Sequence, residues 1–340
     1  MSEPIVDRPP LPPLTLQTRV EHWPIAGAFS ISRGTKRKAS VIVAELSDGT
    51  HIGKGECVPY ARFDENLEDV EKAIQSLSPD FTAQSVDQHA LQDMLSAGAA
   101  RNAIDCALWD YDAKRLNTPV FDWVDVPSMQ PKLTAYTISL STPDGMAKQI
   151  QQVKDNHPLL KVKLGGQTDE ECMRAVRYTA PHARLIADAN EGWSPETLPH
   201  LLAVAYELGF ELIEQPLPTN QDLILEHIDH SVLICADEAI HTSQDLEALK
   251  GRYDAVNIKL DKAGGLTEGL AMVRLAKTLN LKIVVGCMVG TSLAMAPATL
   301  LAQFADWVDL DGPLLLEQDR APGLHYDQSV VYPSHPKLWG

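Results

Sequence analysis

A parallel (β/α) barrel preceded by a smaller α+β domain is the fold the sequence predicts, and three observations predict it. From about residue 132 onward, short apolar runs alternate with amphipathic stretches. Polar residues close those runs at a near-constant step: Lys163, Asp188, Glu214, Asp237, Lys259, Gly286 and Asp311. Ahead of that region the texture differs, strand-like at first and then helical. Such a step holds one strand, one helix and two loops, and a series of these units closes into a barrel with no sheet edge. A doubly wound open sheet competes with this reading. It needs a topological switch point and usually a glycine-rich phosphate loop, and neither is visible.

The elements follow in chain order. Residues 1–13 are proline-rich and acidic, without the basic and apolar blocks of a signal peptide, and read as a disordered lead-in. Residues 14–125 form the α+β domain. In it, Ser40–Leu46 is a strand, Ser47–Thr50 a turn and Ile52–Glu56 the start of the returning strand. The stretch 66–116 is helical, and its alanine-rich part Ala97–Ala113 carries apolar residues at helical spacing. Residues 126–315 form the barrel. Its strands are predicted at Lys132–Leu140, Leu160–Leu164, Leu185–Asp188, Glu211–Glu214, Val232–Ala236, Ala255–Leu260, Lys282–Gly286 and Trp307–Leu310. Helix-start signals fall between them: Ser141 and Thr142 before Pro143, Thr168 before Glu171, Ser194 before Pro195, and Thr242 with Ser243 before Leu246. No helical unit follows the last strand, so the barrel is (β/α)7β and TIM-like. The tail, 316–340, is predicted to pack back on the N-terminal domain and complete it.

Composition narrows the function classes. The chain has 340 residues, 44% of them hydrophobic, enough for a sizeable core. A formal net charge of -17 argues against nucleic acid or an anionic membrane surface as partner. The five cysteines are scattered, which fits reduced cytoplasmic thiols rather than a disulfide framework or zinc knuckle. No apolar run approaches the ~18–20 residues of a membrane span.

The chemistry gathers at the strand ends. In a parallel barrel the C-terminal strand ends share one face. There Asp188, Glu214 and Asp237 end the third, fourth and fifth strands. Converging carboxylates repel unless a cation lies between them, and hard oxygen ligands select Mg²⁺, with Mn²⁺ the next candidate. Asn190 and Glu238 adjoin these acids and are candidates to support them. Lys161 and Lys163 share a face of the second strand by parity, and Lys259 ends the sixth, diametrically opposite in a barrel of eight. A neighbouring ammonium and a metal charge both lower a lysine pKa, so Lys161 could tune Lys163 as a base. A metal gripping a carboxylate stabilises the charge that builds when the adjacent carbon loses its proton. Two lysines on opposite faces then suit racemisation or epimerisation. The same parts also serve β-elimination or cycloisomerisation.

These residues resemble the enolase superfamily in its muconate-lactonizing branch. The resemblance rests on Lys161-Val162-Lys163, Asp188-Ala189-Asn190, Glu214-Gln215-Pro216, Asp237-Glu238, Asn257-Ile258-Lys259 and Gly264-Gly265, and it covers nearly the whole chain. It implies a capping domain over the barrel, Lys163 and Lys259 as the catalytic pair, and one Mg²⁺ per subunit. Within the branch, Asp309-Leu310-Asp311-Gly312-Pro313 makes the chain most similar to the dipeptide epimerases, in which such a pair binds the substrate's α-ammonium group. Asp309 and Asp311 share a face and offer paired negative charge to a cation. The resemblance also places Thr137, Lys161 and Cys287 along the substrate site. The loops around Ser30-Ile31-Ser32-Arg33-Gly34 and Pro59-Tyr60-Ala61-Arg62 look like those of the bacterial L-Ala-D/L-Glu epimerases of cell-wall peptide recycling. Arg33 or Arg62 could pair with a glutamate carboxylate. Phe63-Asp64-Glu65 departs from that family's tyrosine and glycine pattern, which leaves the acidic preference open. The resemblance implies a homo-oligomer acting on a small dipeptide. Rival readings are another dipeptide, a muconate cycloisomerase or o-succinylbenzoate synthase, whose substrates lack an amine, and a catalytically inactive barrel scaffold.

Overall fold

The structure is a computed structural model and describes residues 9–124, 126 and 128–340. Most of the expected lead-in falls outside the described residues. The part inside is packed: Leu11 is buried in the core of the N-terminal domain, and the Pro9 carbonyl accepts from Arg115 Nη2 at 2.6 Å. Isolated leucines among prolines carry no periodicity, so nothing local in the sequence marks Leu11 as a core residue.

Strand-forming residues after Leu14 build an antiparallel meander of β1 (Thr15–Ile31), β2 (Gly34–Ser47) and β3 (Ile52–Cys57). The β2–β3 turn is held by Asp48 Oδ1, which accepts from the backbone of Thr50 and His51 at 2.7 Å each. The β1–β2 pairing is longer than the sequence reading expected and shifts register between Pro24 and Phe29. Beyond that irregularity both strands run out to the tip near Arg33. Four helices follow: α1 (Leu67–Ser76), α2 (Ser78–Ala83), α3 (Gln88–Met94) and α4 (Ala99–Leu116). The alanine-rich α4 lies directly on β3. A Cβ on Gly55 would sit 2.1 Å from the Ala103 carbonyl oxygen, so small residues on both elements permit this approach.

The barrel strands are β5 (Tyr136–Ile138), β6 (Leu159–Lys163), β7 (Arg184–Asp188), β8 (Phe210–Glu214), β9 (Leu233–Ala236), β10 (Ala255–Ile258), β11 (Lys282–Val285) and β12 (Trp307–Val308). They form one parallel eight-stranded sheet in sequential order. It closes on itself through a parallel bridge of Thr134 with Val308, where Ala135 N donates to Val308 O at 2.8 Å. Strand parity separates two cores. Leu160, Val162, Ile213, Ile234, Val256 and Ile283 point outward to the helices. Leu159, Ile186, Leu212, Cys235, Ala255, Val284 and Trp307 fill the interior. Both strand faces are thus apolar lower down, as in a packed barrel. The outer helices are α5 (Pro143–Val153), α6 (Asp169–Thr179), α7 (Leu198–Glu207), α8 (Leu246–Leu249), α9 (Leu260–Ala263), α10 (Leu266–Thr278) and α11 (Ser292–Leu301).

Two details differ from the sequence reading. The expected strand Lys132–Leu140 is two elements: β4 (Lys132–Leu133) leaves the barrel and pairs with β14 (Val330–Val331), itself paired to β13 (Tyr326–Asp327). The tail therefore packs on the barrel entry as well as on the N-terminal domain, where Trp339 Nε1 donates to Cys106 O at 2.9 Å and Gly340 N to Asp110 Oδ1 at 2.8 Å. Among the described residues no helix is long and apolar enough to cross a membrane, and the five cysteines are free thiols.

Candidate active site

The interior parity that buries Leu159, Ile186 and Leu212 turns polar at the next positions toward the C-terminal strand ends. Lys161 and Lys163 extend β6, Asp188 ends β7, Glu214 ends β8, Asp237 follows β9, Asn257 and Lys259 mark β10, and Asp309 and Asp311 follow β12. All are buried. One ligand oxygen from each of Asp188, Glu214 and Asp237 can be chosen so that the three lie within 4.8 Å of one another.

Lysines bracket this triad. Lys163 Nζ lies 2.5 Å from Asp188 Oδ2 on one side, and Lys259 Nζ lies 2.6 Å from Asp237 Oδ2 on the other. Burial opposes ionisation of Asp188, yet Lys163 and then Lys161 hold its carboxyl well below the usual range. Burial also opposes Asp237, and Lys259 and Lys262 outweigh it. Glu214 goes the other way: burial and then Asp188 push it up to about 7. Glu214 Oε1 accepts from Asn257 Nδ2 at 2.8 Å. Its Oε2 has an ion pair with Lys161 Nζ at 2.7 Å but no aligned hydrogen bond. A buried triad with one under-satisfied oxygen, an all-carboxylate donor set and a raised glutamate fits a hard divalent cation.

Lys161 is deeply buried among acids. Its side chain is 1% exposed, and its ammonium lies 2.7 Å from Glu214, 2.8 Å from Asp309 and 3.4 Å from Asp188. Burial works against its charge, but these acids, Asp309 foremost, hold its pKa well above the ordinary lysine value. Asp309 Oδ1 is buried without a partner. Asp311 accepts from Thr137 N at 2.7 Å, and burial followed by Asp309 pushes it up to about 7. Thr137 thus meets Asp311 through both its backbone N–H and its side chain.

Above the strand ends lies a cavity of about 780 Å³. Its floor includes Lys163, Asn190, Asp237, Glu238, Lys259 and Cys287, and its roof is Phe29, Arg33, Lys36, Tyr60 and Arg62 from the N-terminal domain. The Phe29 ring centroid is 5.9 Å from Lys163 Nζ. Asn190 N donates to Asp188 Oδ1 at 2.9 Å, and Asn190 Nδ2 reaches Glu238 Oε1 at 3.4 Å. Arg33 pairs with Glu238 at 2.6 Å, and Arg62 grips Glu191 at 2.8 and 2.9 Å. Both arginines therefore already hold carboxylates of this chain.

Sequence reasoning missed Lys262 and gave Asn257 and Gln215 no role. Lys262 Nζ donates to Asp237 Oδ1 at 2.6 Å and to Asp237 O. Gln215 Oε1 accepts from Asp237 N at 2.9 Å and Ala239 N at 3.1 Å. The available signal for Lys262 was its place three residues after Lys259, on the short α9.

A capped, closed barrel with a triad of acids between facing lysines defines a class of metal-binding barrel proteins, and comparison with known families places the chain in it. The family model described as "Mandelate racemase / muconate lactonizing enzyme, N-terminal domain" matches residues 14–124. The one described as "Enolase C-terminal domain-like" matches residues 145–330. The chain belongs to the enolase superfamily, in its mandelate racemase/muconate lactonizing enzyme group. Among its relatives, an L-Ala-D/L-Glu epimerase of Escherichia coli is 42% identical over 94% of this chain and 99% of its own length. An N-acetyl-D-glutamate racemase of Pseudoalteromonas is also 42% identical, over 88% of this chain and 95% of its own. A solved enolase family member from Agrobacterium tumefaciens, with homology to dipeptide epimerases and with bound sodium and L-Ala-L-Glu, is 50% identical at a TM-score of 0.94, covering 96% of this chain and all of that one, 100%. Within the superfamily this chain is an isomerase of the epimerase type and groups with the dipeptide epimerases.

Proposed function

We propose that the protein epimerises the glutamate α-carbon of L-Ala-Glu dipeptides, as part of cell-wall peptide metabolism in the cytoplasm, with one Mg²⁺ per subunit and as a homo-oligomer. The observation that carries this reading is the bracketing of three buried acids by Lys163 and Lys259, with a partnerless Asp309 oxygen beside them. The 42%-identical L-Ala-D/L-Glu epimerase and the neighbour holding L-Ala-L-Glu support the choice of dipeptide.

Asp188, Glu214 and Asp237 would hold the cation, supported by Asn190, Glu238, Asn257 and Lys262. When bound, that cation supplies positive charge that stabilises the charge developing beside the substrate carboxylate and competes with the lysines for the acids. Lys163 removes the α-proton from one face and Lys259 returns one to the other, and the roles reverse for the opposite epimer. Asp309 and Asp311 hold the free amine. Its positive charge suits a buried oxygen without a donor and an acid whose ionisation is otherwise opposed. Phe29 and Tyr60 cover the reacting carbon from the roof and keep water from competing for the proton.

The test is proton NMR in D₂O with L-Ala-L-Glu, L-Ala-D-Glu and N-acetyl-L-glutamate, each with and without Mg²⁺. The Glu α-proton signal should disappear for both dipeptides with Mg²⁺ and persist after EDTA. Exchange of N-acetylglutamate alone would replace this reading with racemisation of an N-acylated amino acid, the activity named for one relative. Exchange of neither would sink it.

A further inference from the structure

The turn after Asp188 carries an acid outside the triad and the lysines. Asn190 and Glu191 are consecutive residues in the left-handed region, at φ 46° and 63°. Non-glycine residues occupy that region at a cost, so surrounding contacts must hold them there. The contacts are present. Asn190 N donates to Asp188 Oδ1 at 2.9 Å, Glu191 N to Gln215 O at 2.8 Å, and Gly192 N to Ala189 O at 2.8 Å. Gly165 packs against this turn so closely that a Cβ on Gly192 would lie 2.4 Å from Gly165 Cα.

This rigid turn aims the Glu191 side chain, 12% exposed, at the roof of the cavity. Its carboxylate collects donors from three segments. Arg62 gives two hydrogen bonds, at 2.8 and 2.9 Å. Arg33 approaches at 3.4 Å while also donating to Asn190 O at 3.0 Å and Glu238 at 2.6 Å. Thr219 N donates at 3.2 Å from the barrel side. Ser32 Oγ adds a bond to Asn190 O at 3.3 Å. Both roof loops, one carrying Ser32 and Arg33 and the other Arg62, are therefore tied to residues two and three positions after Asp188. A bidentate arginine–carboxylate pair fixes orientation as well as distance.

We propose that Glu191 is a positioning residue that fastens both roof loops to the turn carrying Asp188, so that the height of the roof over the reacting carbon is set from the acid triad. Loosening it lets the roof rise without altering the triad or the lysines, so substrate binding weakens more than turnover.

The test is amide hydrogen–deuterium exchange on the full chain without substrate, followed by kinetics. In Glu191→Gln, segments 28–35 and 59–64 should both exchange at least about tenfold faster, while the barrel strands stay protected. Arg62→Gln, a change at an exposed side chain that the fold tolerates, should free the second segment, and E191Q/R62Q should free it no further. Additive effects, loosening of one segment alone in E191Q, or exchange unchanged from the parent overturns the proposal. In turnover, E191Q should raise KM for L-Ala-L-Glu about tenfold and change kcat by less than about threefold. That arm rests on the substrate reading above; the exchange arm does not. A parent protein inactive on the dipeptide would sink the substrate reading and leave the clasp to be decided by exchange.

Discussion

Lys163 and Lys259 sit on opposite walls, each 2.5 or 2.6 Å from a different acid of the triad. Two separate bases have a distinct kinetic signature. Lys163→Ala should slow α-proton exchange from one dipeptide epimer by about 10²–10⁴-fold, and Lys259→Ala from the other. NMR in D₂O starting from each epimer reads this, and a Lys163→Ala protein exchanging both at the parent rate would exclude the two-base scheme. These residues were legible in the sequence because strand parity and a regular step locate them. Lys161 was legible as a neighbour of Lys163 but not as what it is, an ammonium buried among Asp309, Glu214 and Asp188. Which carboxylates surround it depends on strands as far as six places apart in order, and no local pattern encodes that.

At the scale of elements, the sequence placed all eight barrel strands within a residue or two except where one predicted run divides into β4 and β5. That division is decided by the tail, which arrives almost two hundred residues later to pair with Lys132 and Leu133. Helix starts were similarly mixed. Thr142 caps α5 through Gly145 N as expected, whereas Thr168 makes no side-chain cap on α6 and Asp169 instead accepts from Gly165 and Gly166 at 2.8 and 2.9 Å. The contact of Gly165 with Gly192 is another feature without a sequence signal. Gly192→Ala would drive a methyl into backbone rather than a movable side chain. It should cost about 1–3 kcal/mol in urea unfolding and weaken divalent-cation binding through Asp188. An unchanged midpoint would show that the turn has room to give.

At the scale of the molecule, the N-terminal domain is joined to the barrel by buried polar groups. Arg101 donates to the carbonyls of Ala263 and Gly264 at 2.7 and 3.1 Å. Glu56 accepts from Thr291 N at 2.8 Å and from Arg320 of the tail at 2.7 Å. Asp261 accepts from Val58 N and Asn102 Nδ2, both at 2.9 Å. Burial pushes Asp261 up to about 7 and Asp105, bonded to Thr267, up to about 6. An unfolded aspartate ionises near ~3.9. Between that value and the folded one, the folded protein holds a proton that the unfolded chain has lost, so stability falls as pH rises through the window. The slope from Asp261 alone is on the order of 1 kcal/mol per pH unit. Asp261→Asn can still accept from Val58 N. It should flatten the loss of Tm between pH 5 and pH 7.5, and a variant as pH-sensitive as the parent would show that Asp261 does not carry the effect.

The sequence by itself determined the barrel, the triad of acids, the facing lysines and the paired aspartates. All of these follow from periodicity and parity, which act along one strand or from one strand to the next. Only the tertiary structure decided what the long cationic side chains touch. Arg33 and Arg62, read as candidates for a substrate carboxylate, lie against Glu238 and Glu191 of this chain. Lys262 joins Asp237, and the tail splits the first barrel strand. A flexible charged side chain takes whichever opposite charge the folded chain brings within reach, and that choice is made by the relative placement of two domains rather than by any spacing in the sequence.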